Sequence, residues 1–141
     1  MLAIKIKKLK ADATVPSYAH AGDAGMDMYA SEDVHIRKGE WGKVPTGIAL
    51  EIPDGYVGLV WDKSGLSINH GLKTLGGVID AGYRGEIIIG IVNLSSEDYT
   101  IEKGHKIAQL LIQKIESPVI QKVEELGDSH RGEKGFGSTG K

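Results

Sequence analysis

Asp80 stands between Ile79 and Ala81 in the run Gly76-Gly77-Val78-Ile79-Asp80-Ala81-Gly82-Tyr83-Arg84-Gly85. A carboxylate between apolar neighbours is a candidate general base, because partial burial lifts its pKa toward the working range. The surrounding glycines permit a tight hairpin whose backbone comes close to a ligand. The plainer alternative is a turn Asp that bonds its own backbone.

Three other segments suit anions or metal. In Lys63-Ser64-Gly65-Leu66 a strand gives way to a short helix, and the Ser64 and Gly65 N–H groups there suit an anion. Ordinary capping by Ser64 or Asp62 is the alternative. In Ala21-Gly22-Asp23-Ala24-Gly25-Met26-Asp27 two carboxylates suit a hydrated Mg²⁺, which takes one or two carboxylates plus phosphates and water. A loop with polar turn residues is the alternative. Finally, Gly135-Phe136-Gly137-Ser138-Thr139-Gly140 fits two phosphate-loop patterns by letter, but both need a buried strand before and a helix after. What survives is the physics of successive small residues, whose exposed N–H groups form an anion nest, with Arg131 and Lys134 adding charge. The alternative is a solvated tail.

Elements must position these residues, and the patterning points to strands. Alternation marks Ile4 and Ile6, Val34 and Ile36, Gly47–Ile52 and Tyr56–Trp61, with the turn Pro53-Asp54-Gly55 between the last two. Glu86–Val92 and Ile107–Ile112 read as strands buried on both faces. Only Ser64 to His70 suggests a helix, and Val119 to Leu126 is ambiguous. The expected fold is all-β, a jelly-roll-like barrel or sandwich with that one short helix.

Composition narrows the class. The 141 residues suit one domain, and a net charge of −2 argues against a nucleic-acid groove or a membrane-binding face. Cysteine is absent, which excludes disulfides and thiolate metal sites. No apolar run approaches a membrane span, and the alternating start is unlike a signal peptide, so a cytoplasmic protein is expected. The five histidines have no paired spacing that would suit zinc. Residues 127–141 hold the only Phe and little else apolar. Such a stretch cannot order itself, so a core domain over 1–126 and a flexible arm over 127–141 are expected.

In order and spacing, five segments resemble the motifs of the trimeric dUTPase family. They are Ala24–Ala30, Lys63–Leu66, Gly77–Gly85, Gly104–Leu110 and Arg131–Gly140. The linking Val44-Pro45-Thr46-Gly47-Ile48 is similar to the family as well. The resemblance implies a jelly-roll homotrimer with active sites between subunits, which hydrolyses dUTP to dUMP and pyrophosphate with Mg²⁺. By the same resemblance Asp80 orients the attacking water, and Tyr83 packs on the deoxyribose and excludes a 2′-OH. Gly77, Val78 and Ile79 would bind uracil, with Phe136 over it. Lys63, Ser64, Gly65, Gln109, Arg131, Gly137 and Ser138 would hold phosphates, and Asp27 would meet Mg²⁺ through water. The sequence departs from the family at Lys63, usually Arg, and at His105-Lys106, often Asp-Arg. Lysine keeps the charge but lacks the bidentate fork of arginine.

The nearest rival, dCTP deaminase, resembles the same fold and hairpin. Its relatives carry a Glu three residues before an Asn on the following strand, where this sequence has Gly90 before Asn93. That proton shuttle is missing. A catalytically silent jelly-roll module predicts damage at Asp80, Tyr83 or the tail, and all are intact.

Overall fold

The computed structural model describes residues 1–140 and has ten strands and one helix among them: β1 (Lys5–Lys8), β2 (Met26–Tyr29), β3 (Val34–Ile36), β4 (Trp41–Glu51), β5 (Tyr56–Asp62), α1 (Ser64–His70), β6 (Leu72–Leu75), β7 (Val78–Ile79), β8 (Glu86–Asn93), β9 (Tyr99–Ile101) and β10 (Lys106–Lys114). Two four-stranded sheets, β1-β4-β8-β6 and β2-β10-β5-β7, carry the core, and β3 pairs with β9 apart from them. This is the expected jelly-roll-like, almost wholly β architecture.

The core is aliphatic, as the scarcity of aromatics requires. Val44, Ile48 and Leu50 of β4 and Ile87, Ile89 and Ile91 of β8 are buried with Met26 and Met28 of β2 and Ala108 and Leu110 of β10. Asn93 ends β8 fully buried. Its Nδ2 donates to the carbonyls of Ile36 (3.1 Å) and Glu97 (2.7 Å), and its Oδ1 accepts from Ser95. The Asn that entered the deaminase comparison therefore has a structural task in this chain, fastening the β8 end to β3 and to the loop before β9.

Two local expectations need revision, and one ambiguous segment is resolved. β4 begins at Trp41, well before Gly47, and runs through Pro45. Proline is tolerated because the register with β8 slips between Pro45 and Ala49, where the ladder needs no N–H from it; its carbonyl accepts the Ser31 N–H at 2.9 Å. Glu86–Val92 is buried on one face only: its other face carries Ile88, 51% exposed. Val119–Leu126 forms neither helix nor strand, and its side chains are exposed.

Candidate active site

Strands β2, β10 and β5 lie side by side, so Asp27, Gln109 and Trp61 fall in one row on one face. Asp27 is 3% exposed and lies between two ammonium groups. Lys63, just after β5, hydrogen-bonds its Oδ1, and Nζ of Lys106, at the start of β10, is 3.0 Å from its Oδ2. The Lys106 contact is an ion pair off hydrogen-bonding geometry, which leaves Oδ2 without a hydrogen-bond partner. Burial pushes the Asp27 carboxyl up, but the two lysines outweigh it and hold it below the usual carboxylate value. Asp27 in turn raises Lys106. The two lysines that depart from the family pattern thus converge on one carboxylate.

Gln109 is held equally closely. Its Nε2 donates to the Asp62 carbonyl at 3.0 Å. Its side chain crosses the backbone of Gly25, where a Cβ would overlap Oε1. Ser64 and Gly65 are exposed in the first turn of α1. Neither expected cap forms, since Lys63 is the cap residue and makes no side-chain capping bond. The Asp62 carboxylate turns to Thr74 instead. Asp23 accepts the N–H of His20 at 2.9 Å, separately from the lysine pair on Asp27.

The hairpin makes a second site. A cavity of about 270 Å³ is lined by Gly77, Val78, Ile79, Asp80 and Tyr83, with Val60, Leu75 and Glu86–Ile89 behind them. Gly77 has φ 125°, and a Cβ there would lie 2.7 Å from the Val60 carbonyl oxygen. Only glycine lets the hairpin approach β5 this closely, and Val60 N–H donates to the Gly77 carbonyl at 2.8 Å. Tyr83 N–H closes the turn on the Asp80 carbonyl at 3.1 Å, and the Tyr83 hydroxyl donates to the Glu86 carbonyl at 3.0 Å. The Tyr83 ring lies over Gly85, in the space a Cβ would need. Asp80 was expected to be partly buried, yet it is exposed. Ile79 turns into the core and leaves the next side chain pointing outward.

The hairpin cavity gathers Gly77, Val78, Ile79, Asp80 and Tyr83, but its lining includes none of Asp27, Lys63, Ser64, Gly65, Gln109 or Arg131. The tail joins neither group. Phe136 is fully exposed with φ 47°, and the Arg131 guanidinium donates to the Lys134 carbonyl at 2.5 Å. Gly137, φ 96°, and Ser138 are exposed as well. Lys141, the last residue of the expected arm, lies outside the described residues. Sequence reasoning missed Gly25 and Asp62 as parts of the site. The glycine was visible in the first motif, whereas nothing in the sequence linked Asp62 to Thr74.

Residues 11–140 match the dUTPase family. The chain belongs to that family. It is 46% identical, over 99% of both chains, to the deoxyuridine 5′-triphosphate nucleotidohydrolase of Clostridioides difficile. A mutant of the Staphylococcus bacteriophage 80alpha dUTPase, solved with dUpNHpp, superposes with a TM-score of 0.93 at 36% identity and 98% coverage of each chain. A mutant dUTPase from phage phi11 of S. aureus gives a TM-score of 0.81 at 32% identity, covering 87% of this chain and 97% of that one. That structure is described in terms of a structural Mg(II) ion. Among the described residues no helix is long and apolar enough to cross a membrane.

Proposed function

We propose that this chain is a dUTP diphosphatase, which hydrolyses dUTP to dUMP and pyrophosphate and so lowers dUTP while supplying dUMP for thymidylate synthesis. The observation that carries the reading is the hairpin cavity, whose wall is backbone at Gly77–Ile79 and whose lining includes Asp80 and Tyr83. Backbone N–H and C=O groups at fixed positions suit the edge of a uracil ring. The Tyr83 ring lies back over Gly85; packed on a deoxyribose, its flat face would exclude a 2′-OH.

Asp80 is exposed, hence free to take a proton from water. The water oxygen bonds to the α-phosphorus, the bridging oxygen leaves with the β-phosphate, and Asp80 holds the proton. Lys63, Ser64, Gly65 and Gln109 hold the phosphates, and the row Asp27–Gln109 keeps them in register. The work is positioning and charge stabilisation, as for phosphoryl transfer in general.

The residues fit a magnesium ion carried by the triphosphate. Asp27 keeps one buried oxygen without a hydrogen bond, which can receive a metal-bound water. Bound there, Mg²⁺ would neutralise phosphate charge. The phi11 relative supports a metal in this fold.

A homotrimer accounts for the division of the site. One chain's hairpin cavity and another's phosphate cluster complete each other across an interface, which also covers the exposed Ile88 face. Residues 1–126 form the catalytic body. The arm over residues 127–141 closes a site, with Phe136 over uracil and Arg131, Gly137 and Ser138 toward the phosphates. No nucleic acid or membrane is needed, and the reaction belongs in the cytoplasm with its substrate.

Turnover of dUTP, dCTP, dTTP and UTP with Mg²⁺ tests the reading. Pyrophosphate release from dUTP, with the others poor, is expected. Ammonia from dCTP would overturn it; Gly90 has no side chain, and a Cβ added there would lie 3.2 Å from the Leu75 Cβ.

A further inference from the structure

Asp62 ends β5, opposite the fully buried Ala108 of β10, and so points to the inner side of its sheet. From there its carboxylate reaches across to β6 in the other sheet. Oδ1 accepts both the N–H and the hydroxyl of Thr74, each at 2.7 Å. Oδ2 lies 3.1 Å from Nζ of Lys73. Thr74 is 7% exposed, so water cannot readily replace the acceptor. Burial pushes the Asp62 carboxyl up, but the Thr74 and Lys73 hydrogen bonds outweigh it and keep it ionised.

The main chain of the same residue serves the phosphate cluster. Its carbonyl accepts Gln109 Nε2 at 3.0 Å, and the next two residues are Lys63 and Ser64. We propose that Asp62 is a positioning residue, an inter-sheet brace that holds Gln109 and the Lys63-Ser64 turn in the setting a triphosphate requires. The inference rests on the triphosphate reading above. Asp62 touches no substrate; it acts through the groups its backbone carries. Because β6 runs on through Leu75 to Gly76 and the hairpin, the brace also fixes the spacing between the hairpin and the phosphate cluster that one chain gives to two different sites.

The test compares Asp62→Ala, Thr74→Val and Thr74→Ser with Ile36→Val, a destabilising change in the remote β3 core. All are assayed well below their melting temperatures, so that only folded enzyme is read. Asp62→Ala and Thr74→Val should lower kcat for dUTP by roughly 10- to 100-fold, the scale of a small misplacement of reacting groups. Thr74→Ser, which keeps the hydroxyl, should restore most of it, and Ile36→Val should lower only the melting temperature. If Asp62→Ala does not fold, the Thr74 pair decides. A kcat for Thr74→Val equal to that of Ile36→Val would overturn the brace. Should the unsubstituted chain fail to turn over dUTP, the functional reading falls, and the brace is judged by NMR of the ligand-free chain, ahead of an inorganic triphosphate titration. The Gln109 side-chain amide and the Ser64 and Gly65 amides should then shift in Thr74→Val before triphosphate is added. Unmoved signals would overturn the brace.

Discussion

The side chain of Gln109 crosses the backbone of Gly25 so closely that a Cβ would overlap its Oε1 and sit 3.0 Å from its Cδ. Glycine in the first motif is thus the complement of glutamine in the fourth. Gly25→Ala should push Gln109 off the Asp62 carbonyl. The steric cost should be about 1–3 kcal/mol, typical of overpacking. The fall in dUTP turnover should exceed what that instability explains. A crystal structure of the variant with Gln109 unmoved would sink the argument.

Asp80→Asn keeps the shape of the hairpin while removing the proton acceptor. Binding of dUpNHpp should persist, and turnover should fall by roughly a hundredfold or more, the scale of general-base effects. Calorimetry and a pyrophosphate assay read the two separately. Near-normal turnover would remove Asp80 from the mechanism.

The buried Asp27 gives the fold an acid limit. Its folded-state pKa lies below the ordinary 3.8 because Lys63 and Lys106 outweigh its burial. Its contribution to stability is therefore complete above that value and is lost as pH falls through the depressed folded-state pKa. Asp27→Asn leaves two ammonium groups facing an amide. At neutral pH it should cost about 1–3 kcal/mol, less than for a fully buried pair because both lysine ends are partly exposed. Urea midpoints of the two proteins should converge below pH 3.8. A gap that stays constant into acid would show that the ion pairs add no stability of their own.

How much of this was legible in the sequence depends on the range of the signal. α1 over Ser64–His70 and the buried face of β8 follow from local pattern. So does the hairpin, because Gly77, Asp80 and Tyr83 lie within a few residues of one another. The first six residues of β4 were hidden, since Pro45 and Gly47 read as a link and only the register slip against β8 accommodates them. Lys63 and Lys106 stood out as separate departures from a family pattern. That they meet on Asp27 depends on β2, β10 and β5 lying side by side, which no local pattern encodes. The burial of Asp80 was misjudged because apolar neighbours in sequence point to the opposite face of a strand end.

The exposed Ile88 face and the divided site predict assembly. Light scattering should give a mass three times that of the 15.1 kDa chain at micromolar concentration. A monomer with full activity would refute a shared site.

The tail is the remaining test. Among the described residues no helix or strand follows Lys114, and Phe136 touches no core. Deleting residues 128–141 should therefore leave the melting temperature and the trimer nearly unchanged. It should cut turnover sharply, because the closed, water-poor site is lost. Phe136→Ala should weaken dUpNHpp binding by roughly 1–3 kcal/mol, the size of a base–aromatic stack. Protection of the tail from protease should follow the triphosphate and be weaker with dUMP, which lacks the β and γ groups that Arg131, Gly137 and Ser138 are proposed to meet. A truncated protein that hydrolysed dUTP as fast as the intact one would make residues 128–141 a solvated appendage, and the site would have to close without Phe136.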